Sequence, residues 1–346
     1  MTSVIGWDIG GAHLKAARAE DGKIVAATQI LCTPHHGLAH LERAIRKAAE
    51  QLGAAKRHGV TMTAELSDAF ATRAQGVVSI AGIFTREIGA GDIAFYAGAR
   101  GFVSRAEVAE AASAIASANW RASAELVARH CADALFIDMG STTTDLVPIR
   151  ANAVVARGAS DSERLAHGEL VYAGLVRGRP QTGLALVPFD GCWTPLIDES
   201  FATMADVHRI LGDLPEGVDL MPTADGRAKT AEASRARLAR LVGRDAADAS
   251  DDAWRDLAAF LARAQLRLIE DQIAILVSSE ALARDAPIVG AGVGRAILAR
   301  LALMQGRAYR DFDEFIDAPP RLKHAASDCA PAAAIALLRG GPLLES

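Results

Sequence analysis

The sequence predicts an α/β protein of two domains that enclose a central cleft. Its 346 residues are enough for two domains with a sizeable core. About half of the residues are hydrophobic (51%) and alanine is abundant, a composition that favours helices packed on sheets. Two segments about 130 residues apart repeat one pattern: a strand that ends in an acid, a glycine turn and a returning strand. This spacing indicates one such hairpin in each domain.

The first hairpin covers residues 4–19. Its first strand ends at Asp8, its turn contains Gly10 and Gly11, and Lys15 lies in the returning strand. Glycine allows a backbone to come close to a ligand. Two hairpins of this kind, facing each other across a cleft, would bind a diphosphate from both sides.

The segment after the first hairpin predicts alternating strands and helices. Residues 23–31 and 75–83 have the apolar pattern of strands, and residues 38–52 carry the single apolar stripe of a helix. Residues 106–118 are rich in alanine and predict a further helix.

Two acids, Glu65 and Asp68, follow the predicted end of a strand and have two interpretations. In the structural interpretation, Ser67 caps a following helix and the two acids favour the positive end of its dipole. In the functional interpretation, one or both acids bind a ligand or a metal. The residues themselves leave both interpretations open.

The second hairpin covers residues 135–149 and is rich in small hydrogen-bond donors. Asp138 ends its first strand and Asp145 begins its second; the turn between them consists of Gly140, Ser141, Thr142, Thr143 and Thr144. Such a turn suits a phosphate, and two flanking carboxylates suit a hydrated magnesium ion. The alternative is an ordinary hairpin with a polar turn, but the matching pattern around Asp8 favours the functional interpretation.

The remainder of the chain predicts mostly helices, over residues 199–211, 231–242, 253–279, 296–304 and 329–338. A strand within residues 287–295 runs into a glycine turn that contains Gly290, Gly292 and Gly294. Glycines at this place would let the backbone approach a ligand beside the N-terminus of the next helix.

Charge and cysteine content exclude several classes of protein. The net charge is −5 and no run of Lys or Arg occurs, so we expect no nucleic-acid partner. The four cysteines are scattered without a CxxC pair, which favours reduced thiols in the cytoplasm. No apolar run is long enough to span a bilayer, so we expect no membrane partner. We expect a soluble cytoplasmic protein, and a homodimer is its candidate oligomeric state.

The order of the three glycine turns resembles the actin, sugar kinase and chaperone ATPase superfamily. The resemblance implies an actin-like (ribonuclease H-like) fold with domains at residues 1–130 and 131–346 and a helical insertion around residues 200–285. It also implies Mg²⁺ and bound ATP or ADP. Two phosphate loops and an adenosine loop would then consist of Gly10, Gly11, Gly140, Ser141, Thr142, Thr143, Gly290, Gly292 and Gly294.

Several short sequence segments, spread over nearly the whole chain, resemble those of a narrower group. This group is the hydantoinase/oxoprolinase-related family linked to tetrahydromethanopterin-dependent one-carbon metabolism. They are DIGGAHLK, VTMTAELSDAF, FIDMGSTTTDLVPI, GELVYAG, ESFATMADVHRILG, TADGR and RLARLVGRD. Archaeal members act in methanofuran biosynthesis. The resemblance implies a transferase that joins an aminomethyl-furanmethyl diphosphate to the phenol oxygen of tyramine or glutamyltyramine and releases diphosphate. In bacteria the analogous product would be methylofuran.

One departure from the superfamily pattern favours this narrower resemblance. Many kinases of the superfamily carry a hydroxyl residue after the double glycine of the first loop, whereas this chain has Ala12. We therefore expect transfer with release of diphosphate. An ATP-dependent small-molecule kinase or hydrolase is the alternative, and a nucleotide-gated assembly protein ranks third.

The hairpins and the family resemblance together indicate the catalytic groups. Magnesium held through Asp8, Asp138 or Asp145 would neutralise the diphosphate, and Lys15 would add a point charge. A base must take the phenol proton, and the candidates are Glu65, Asp68 and His13.

Overall fold

A computed structural model describes residues 2–341 and contains two large sheets. The first lobe contains β1 (Ser3–Ile9), β2 (His13–Glu20), β3 (Lys23–Leu31), α1 (Leu38–Leu52), β4 (Arg57–Met62), α2 (Arg73–Ile88), β5 (Asp92–Tyr96), β6 (Phe102–Ser104), α3 (Ala112–Ile115) and α4 (Asn119–Ala128). Its strands lie in the order β3-β2-β1-β4-β5-β6. Strands β1 to β3 are antiparallel neighbours, whereas β4 runs parallel to β1 and β5 runs parallel to β4.

The second lobe begins with β7 (Ala134–Met139), β8 (Thr144–Arg150), β9 (Ala153–Val154), α5 (Asp161–Ala166), β10 (Leu170–Val171), β11 (Leu186–Phe189) and β12 (Cys192–Pro195). It continues with α6 (Met204–Leu211), α7 (Ala231–Arg240), α8 (Asp251–Ser278), β13 (Ile288–Ala291), α9 (Arg295–Met304), β14 (Tyr309–Asp311), α10 (Pro320–Asp328) and α11 (Ala330–Gly340). Its main sheet has the order β10-β8-β7-β13-β14.

The two sheets repeat one topology. In the second sheet β7 and β8 form the antiparallel hairpin, and β13 and β14 follow in parallel on the other side of β7. This arrangement matches β1, β2, β4 and β5 of the first sheet strand by strand. A three-stranded antiparallel unit extended by two parallel strands is the ribonuclease H-like topology that the resemblance implies.

Helix α11 packs against β1, β2 and β4 of the first sheet although it follows the second lobe in the chain. A Cβ at Gly6 would meet the backbone of Ala332 and Ala336, so β1 and α11 approach more closely than side chains normally allow. Helix α11 also crosses α4, and the two helices meet through alanine-rich faces. The first lobe is therefore covered by a helix that comes after the second lobe in sequence.

The structure differs from the sequence prediction for residues 75–83, which are helical and not a strand. They lie in α2, where the side chain of Thr72 accepts a hydrogen bond from the backbone N–H of Gln75 at 3.2 Å and caps the helix. Val77, Ile80 and Phe84 are all buried, and their spacing of three and four residues is that of a helix face.

The predicted helix over residues 106–118 is mostly absent. Only α3 is α-helical there, and the backbone leaves the helical conformation at Ala116 and Ser117, where the φ of Ser117 is 53°. This bend leads directly into α4 and places Ser117 at the cleft between the lobes.

Helices α6, α7 and α8 and the β11–β12 hairpin form a satellite core with Trp254 and Leu238 fully buried. Arg237 of α7 is also fully buried, and its guanidinium contacts the carboxylate of Asp206 at 2.7 Å. Within residues 2–341, no helix has the length and hydropathy required to cross a membrane.

Candidate active site

The first hairpin ends in a tight turn at the cleft. The backbone N–H of Gly10 donates to the carbonyl of His13 at 3.0 Å, and Asp8 lies opposite Lys15 in the strand register. A Cβ at Gly10 would lie 2.6 Å from the His13 carbonyl oxygen, so the turn requires glycine there.

The second hairpin has the same turn. The backbone N–H of Gly140 donates to the carbonyl of Thr143 at 2.9 Å, and Asp138 lies opposite Asp145. Residues 174–177 support this turn, because their backbone N–H groups donate to the carbonyls of Gly140, Ser141 and Thr142. The same support brings Arg177 to the cleft.

Both turns open into one cleft of about 480 Å³. Of the residues that the sequence singled out for the two turns and their flanking acids, the cleft is lined by Asp8, Gly10, Gly11, Lys15, Asp138, Gly140, Ser141, Thr142, Thr143 and Asp145. The two hairpins lie in different lobes, so a molecule in the cleft would have one hairpin on each side.

Two carboxylates at the base of the cleft are buried. Asp8 is 6% exposed and Asp138 is 7% exposed. Burial raises the pKa of Asp8 to about 6 and the pKa of Asp138 to about 7, while the nearby ammonium of Lys15 opposes both shifts. The Oδ1 atom of Asp8 is buried without a hydrogen-bond partner among the described residues. A buried and unpartnered carboxylate oxygen favours a cation or a donor as its partner.

Lys15 is the cationic neighbour that both acids share. Its ammonium donates to the backbone carbonyl of Asp328 at 2.7 Å. Burial alone would lower the pKa of Lys15, but neighbouring groups, Cys329 and the carboxylates of Asp138 and Asp8 among them, outweigh burial and raise it. Lys15 therefore stays charged within the cleft.

Asp145 already has a cationic partner. Its Oδ1 lies 2.8 Å from Nη1 of Arg164, and that guanidinium also covers the ring of Trp120 at 4.2 Å. Burial raises the pKa of Asp145 and Arg164 opposes the shift. Within residues 2–341, no three His, Cys, Asp or Glu side chains are grouped as a direct metal-binding set. Magnesium often keeps several waters and takes only one or two carboxylates, so Asp8 and Asp138 are the better placed of the three predicted ligands.

The third glycine turn supports the second hairpin from behind. Gly292, at φ +80°, lies against the carboxylate of Asp138, and the N–H of Gly294 donates to the carbonyl of Met139 at 2.9 Å. A Cβ at Gly290 would lie 2.6 Å from the hydroxyl of Tyr309. These internal contacts account for all three glycines, and a role in binding adenosine stays a prediction.

The three candidate bases occupy different surroundings. Glu65 is buried behind the cleft and accepts a hydrogen bond from the hydroxyl of Ser117 at 2.7 Å. Asp68 lines the cleft and is exposed. His13 lines the cleft, and burial lowers its pKa to about 4, with Lys15 and Arg177 acting in the same direction.

Sequence reasoning missed several cleft residues that come from the lobe junction: Ser117, Asn119, Asp161 and Arg164. Asp161 of the second lobe binds Arg73 of the first lobe at 2.5 Å, and this ion pair links the two lobes. No local motif marks these residues: a backbone bend brings Ser117 to the cleft, and an ion pair with Asp145 of the same lobe holds Arg164 there.

Comparison with known proteins identifies a family. The hydantoinase/oxoprolinase family profile matches residues 56–308. The chain is 31% identical over 291 residues to the (4-{4-[2-(γ-L-glutamylamino)ethyl]phenoxymethyl}furan-2-yl)methanamine synthase of Methanocaldococcus jannaschii, covering 84% of this chain and 86% of that protein. It is 32% identical over 119 residues to the synthase of the same name from Methanococcus vannielii, covering 34% of this chain and 53% of that protein.

A solved structure supports the fold. The chain superimposes on a nucleotide-free acetone carboxylase structure with a TM-score of 0.57 and 13% identity, over 95% of this chain and 70% of that one. With the repeated sheet topology, this likeness confirms the predicted two-domain α/β fold with a central cleft.

Proposed function

Because the chain belongs to the hydantoinase/oxoprolinase family, we propose that it is a transferase of methanofuran-type cofactor biosynthesis. The product named for its Methanocaldococcus relative contains an aryl ether between a glutamyltyramine phenol and a furanylmethyl group. We propose the same reaction here: an aminomethyl-furanmethyl diphosphate reacts with the phenol oxygen of tyramine or glutamyltyramine, and diphosphate leaves.

One observation carries this proposal: two hairpin turns from different lobes line the same cleft and bring the ammonium of Lys15 into it. The backbone N–H groups and hydroxyls of residues 141–143 suit phosphoryl oxygens. Arg177 lines the same space and offers a second cation. A diphosphate therefore has donors on both sides.

The charges of the cleft fit a divalent cation. Asp8, Asp138, Asp145 and Asp161 line it together with Lys15, Arg164 and Arg177, so a diphosphate alone would meet several carboxylates. The unpartnered Oδ1 of Asp8 and the neighbouring Asp138 would hold hydrated Mg²⁺. When bound, Mg²⁺ neutralises charge on the diphosphate and makes it a better leaving group.

The chain's own residues would then direct the transfer. Lys15 stabilises the charge that develops on the departing diphosphate. The furan ring delocalises positive charge on its methylene carbon, so loss of diphosphate can precede attack by the phenol oxygen. Apolar atoms for the two aromatic rings come from Leu66, Leu170, Tyr172 and Pro331, which line the cleft beside the polar turns.

The decisive experiment combines the purified protein, the furan diphosphate, tyramine or glutamyltyramine, and Mg²⁺. We expect equal amounts of ether and diphosphate, measured by mass spectrometry and a diphosphate assay, and no product after chelation. The Asp138→Asn variant should retain its fold by circular dichroism and lose at least 99% of the activity, because it loses a charged ligand at the base of the cleft. Failure of the wild-type protein to form an ether would overturn the proposal.

The alternative is an ATP-dependent kinase or hydrolase, which the shared two-domain fold favours. It predicts a rise in melting temperature with ADP and Mg²⁺ but none with diphosphate and Mg²⁺, and hydrolysis of ATP in the same assay. Ala12 argues against it, because the first turn lacks a hydroxyl at that position. We also propose that the protein is cytoplasmic and forms a homodimer. We further propose that its product serves tetrahydromethanopterin-linked one-carbon metabolism.

A further inference from the structure

A buried serine and a buried glutamate form a linked pair at the wall of the cleft. The hydroxyl of Ser117 donates to Oε1 of Glu65 at 2.7 Å. Ser117 lines the cleft although it is only 4% exposed, whereas Glu65 lies behind it and is 2% exposed. A molecule in the cleft can therefore reach Glu65 through the serine hydroxyl.

The backbone holds Ser117 in an unusual conformation. Its φ of 53° lies in the left-handed region, which residues other than glycine, asparagine and aspartate rarely adopt. Strained residues of this kind persist where the surrounding structure fixes them, and they concentrate at functional sites. Here the conformation directs the hydroxyl between Glu65 and the cleft.

The carboxylate of Glu65 has an unused oxygen. Its Oε2 is buried and has no hydrogen-bond partner among the described residues. A Cβ at Gly76 would lie 2.9 Å from the Cα and Cβ of Glu65, so α2 packs tightly behind the glutamate and fixes its position. An ordinary structural carboxylate would be paired on both oxygens, because an unpaired buried polar atom is costly.

The charges around Glu65 suit a proton acceptor. Burial raises its pKa to about 7, while the Ser117 hydrogen bond and Arg73 of α2 lower it and Asp161 of α5 raises it. A base with a pKa near the working pH is the most effective one. Asp161 also faces the Ser117 hydroxyl, at 3.5 Å, but its Oδ2 already binds Arg73 at 2.5 Å, so Glu65 is the better acceptor.

We propose that Ser117 and Glu65 form a proton relay for the acceptor phenol, an inference that rests on the proposed transferase function. The furanylmethyl C–O bond breaks and its electron pair leaves with diphosphate. The phenol oxygen forms the new C–O bond and its proton passes to Oγ of Ser117, while the serine's own proton passes to Oε1 of Glu65. Glu65 afterwards returns the proton to the cleft along the same path. Ser117 is the catalytic residue that touches the substrate, and Glu65 acts through it.

The test compares two acceptors, tyramine and a ring-fluorinated tyramine at a pH where its more acidic phenol is already ionised. With tyramine, Glu65→Gln and Ser117→Ala should each lower kcat for ether formation by about 10²–10⁴-fold, and Glu65→Gln should remove the rise in rate through pH 7. With the ionised acceptor, both variants should regain wild-type rates within tenfold.

Ser117→Gly, which accepts the positive φ without strain, should behave as Ser117→Ala does. Ser123→Ala removes another buried serine hydroxyl, away from the cleft, and should retain the wild-type rate.

The outcomes separate the two proposals. Absence of ether from the wild-type protein overturns the transferase and the relay together. Ether from the wild-type protein, with equal losses for both acceptors or a change confined to KM, overturns the relay alone. A loss in Ser117→Ala that Ser117→Gly does not share indicates backbone strain and also overturns the relay.

Discussion

Lys15 and Asp145 occupy equivalent positions in the two hairpins of the cleft. Lys15 lies opposite Asp8 in the register of the first hairpin, and Asp145 lies opposite Asp138 in the second. At this position of the returning strand, the first hairpin thus has a cation and the second has an anion. The single ammonium opposes the rise in pKa of both buried acids, Asp8 and Asp138.

Replacing Lys15 should impair both the binding and the departure of diphosphate. We expect Lys15→Met to lower kcat/KM for the furan diphosphate about a hundredfold, because the variant lacks a charge at the departing group. Steady-state kinetics of diphosphate release measure this loss. Lys23→Met removes an exposed lysine paired with Asp317 and should leave kcat/KM within twofold of wild type. Equal kinetics for the two variants would place the diphosphate away from Lys15.

Gly292 should tolerate no side chain. In Gly292→Ala the new Cβ would overlap the carboxylate of Asp138 and would lie 2.6 Å from the Met139 carbonyl oxygen, in a backbone at φ +80°. Gly306→Ala is the matched control, because its φ is +65° and nothing lies within 4 Å of the new Cβ. We expect the control to cost about 1 kcal/mol of unfolding free energy, from the backbone alone, and Gly292→Ala to cost at least about 3 kcal/mol and most of the activity. Urea unfolding that gave equal costs would mean that the turn can shift away from Asp138.

The buried ion pair of the helical satellite core should matter far more than an exposed one. Arg237→Met leaves the carboxylate of Asp206 buried with only part of its partners, and we expect a loss of about 3 kcal/mol. Arg244→Met breaks an exposed pair with Asp190 at 3.3 Å and should cost less than about 1 kcal/mol. Thermal unfolding of both variants compares the two effects. Similar losses would contradict the assigned role of burial.

Glu65 should make the protein less stable as the pH rises. The pKa of its carboxyl increases from 4.5 to about 7 on folding, so its stabilising contribution is complete below pH 4.5 and is lost as the pH rises through 7. Relative to Glu65→Gln, the wild-type free energy of unfolding should therefore fall by up to about 3 kcal/mol between pH 4.5 and pH 8. Urea unfolding at several pH values measures this difference.

Glu107→Gln is the comparison variant, because the contribution of Glu107 to the free energy of unfolding should depend on pH in the opposite direction. Hydrogen bonds from the side chain and backbone of Ser104 lower the pKa of the exposed Glu107 carboxyl. Its contribution is therefore present above its unfolded pKa and is lost as the pH falls. If the difference in unfolding free energy between the wild type and Glu65→Gln does not change with pH, Glu65 is hydrated in solution.

The hairpins were predictable because their signals are local. Asp8 with Gly10 and Asp138 with Gly140 each lie within three residues of chain, and a strand that ends in an acid and a glycine turn is visible in sequence alone. Residues 75–83 were wrongly predicted as a strand because valines and isoleucines are frequent there; the helical period becomes clear only with Phe84 and the cap at Thr72. Ser117 escaped prediction because its positive φ has no sequence signal, and Arg164 escaped because its partner Asp145 is distant in the chain.

The position of α11 on the first sheet has a consequence for how the polypeptide matures during translation. The strands of the first lobe leave the ribosome early, but the face of β1 that α11 covers stays open until residues 330–340 have been made. At ordinary elongation rates that delay, about 200 residues beyond the first lobe, lasts roughly 10–40 s. The nascent first lobe is therefore a natural client for chaperones, and ribosome-bound chains that lack residues 330–340 should remain sensitive to protease.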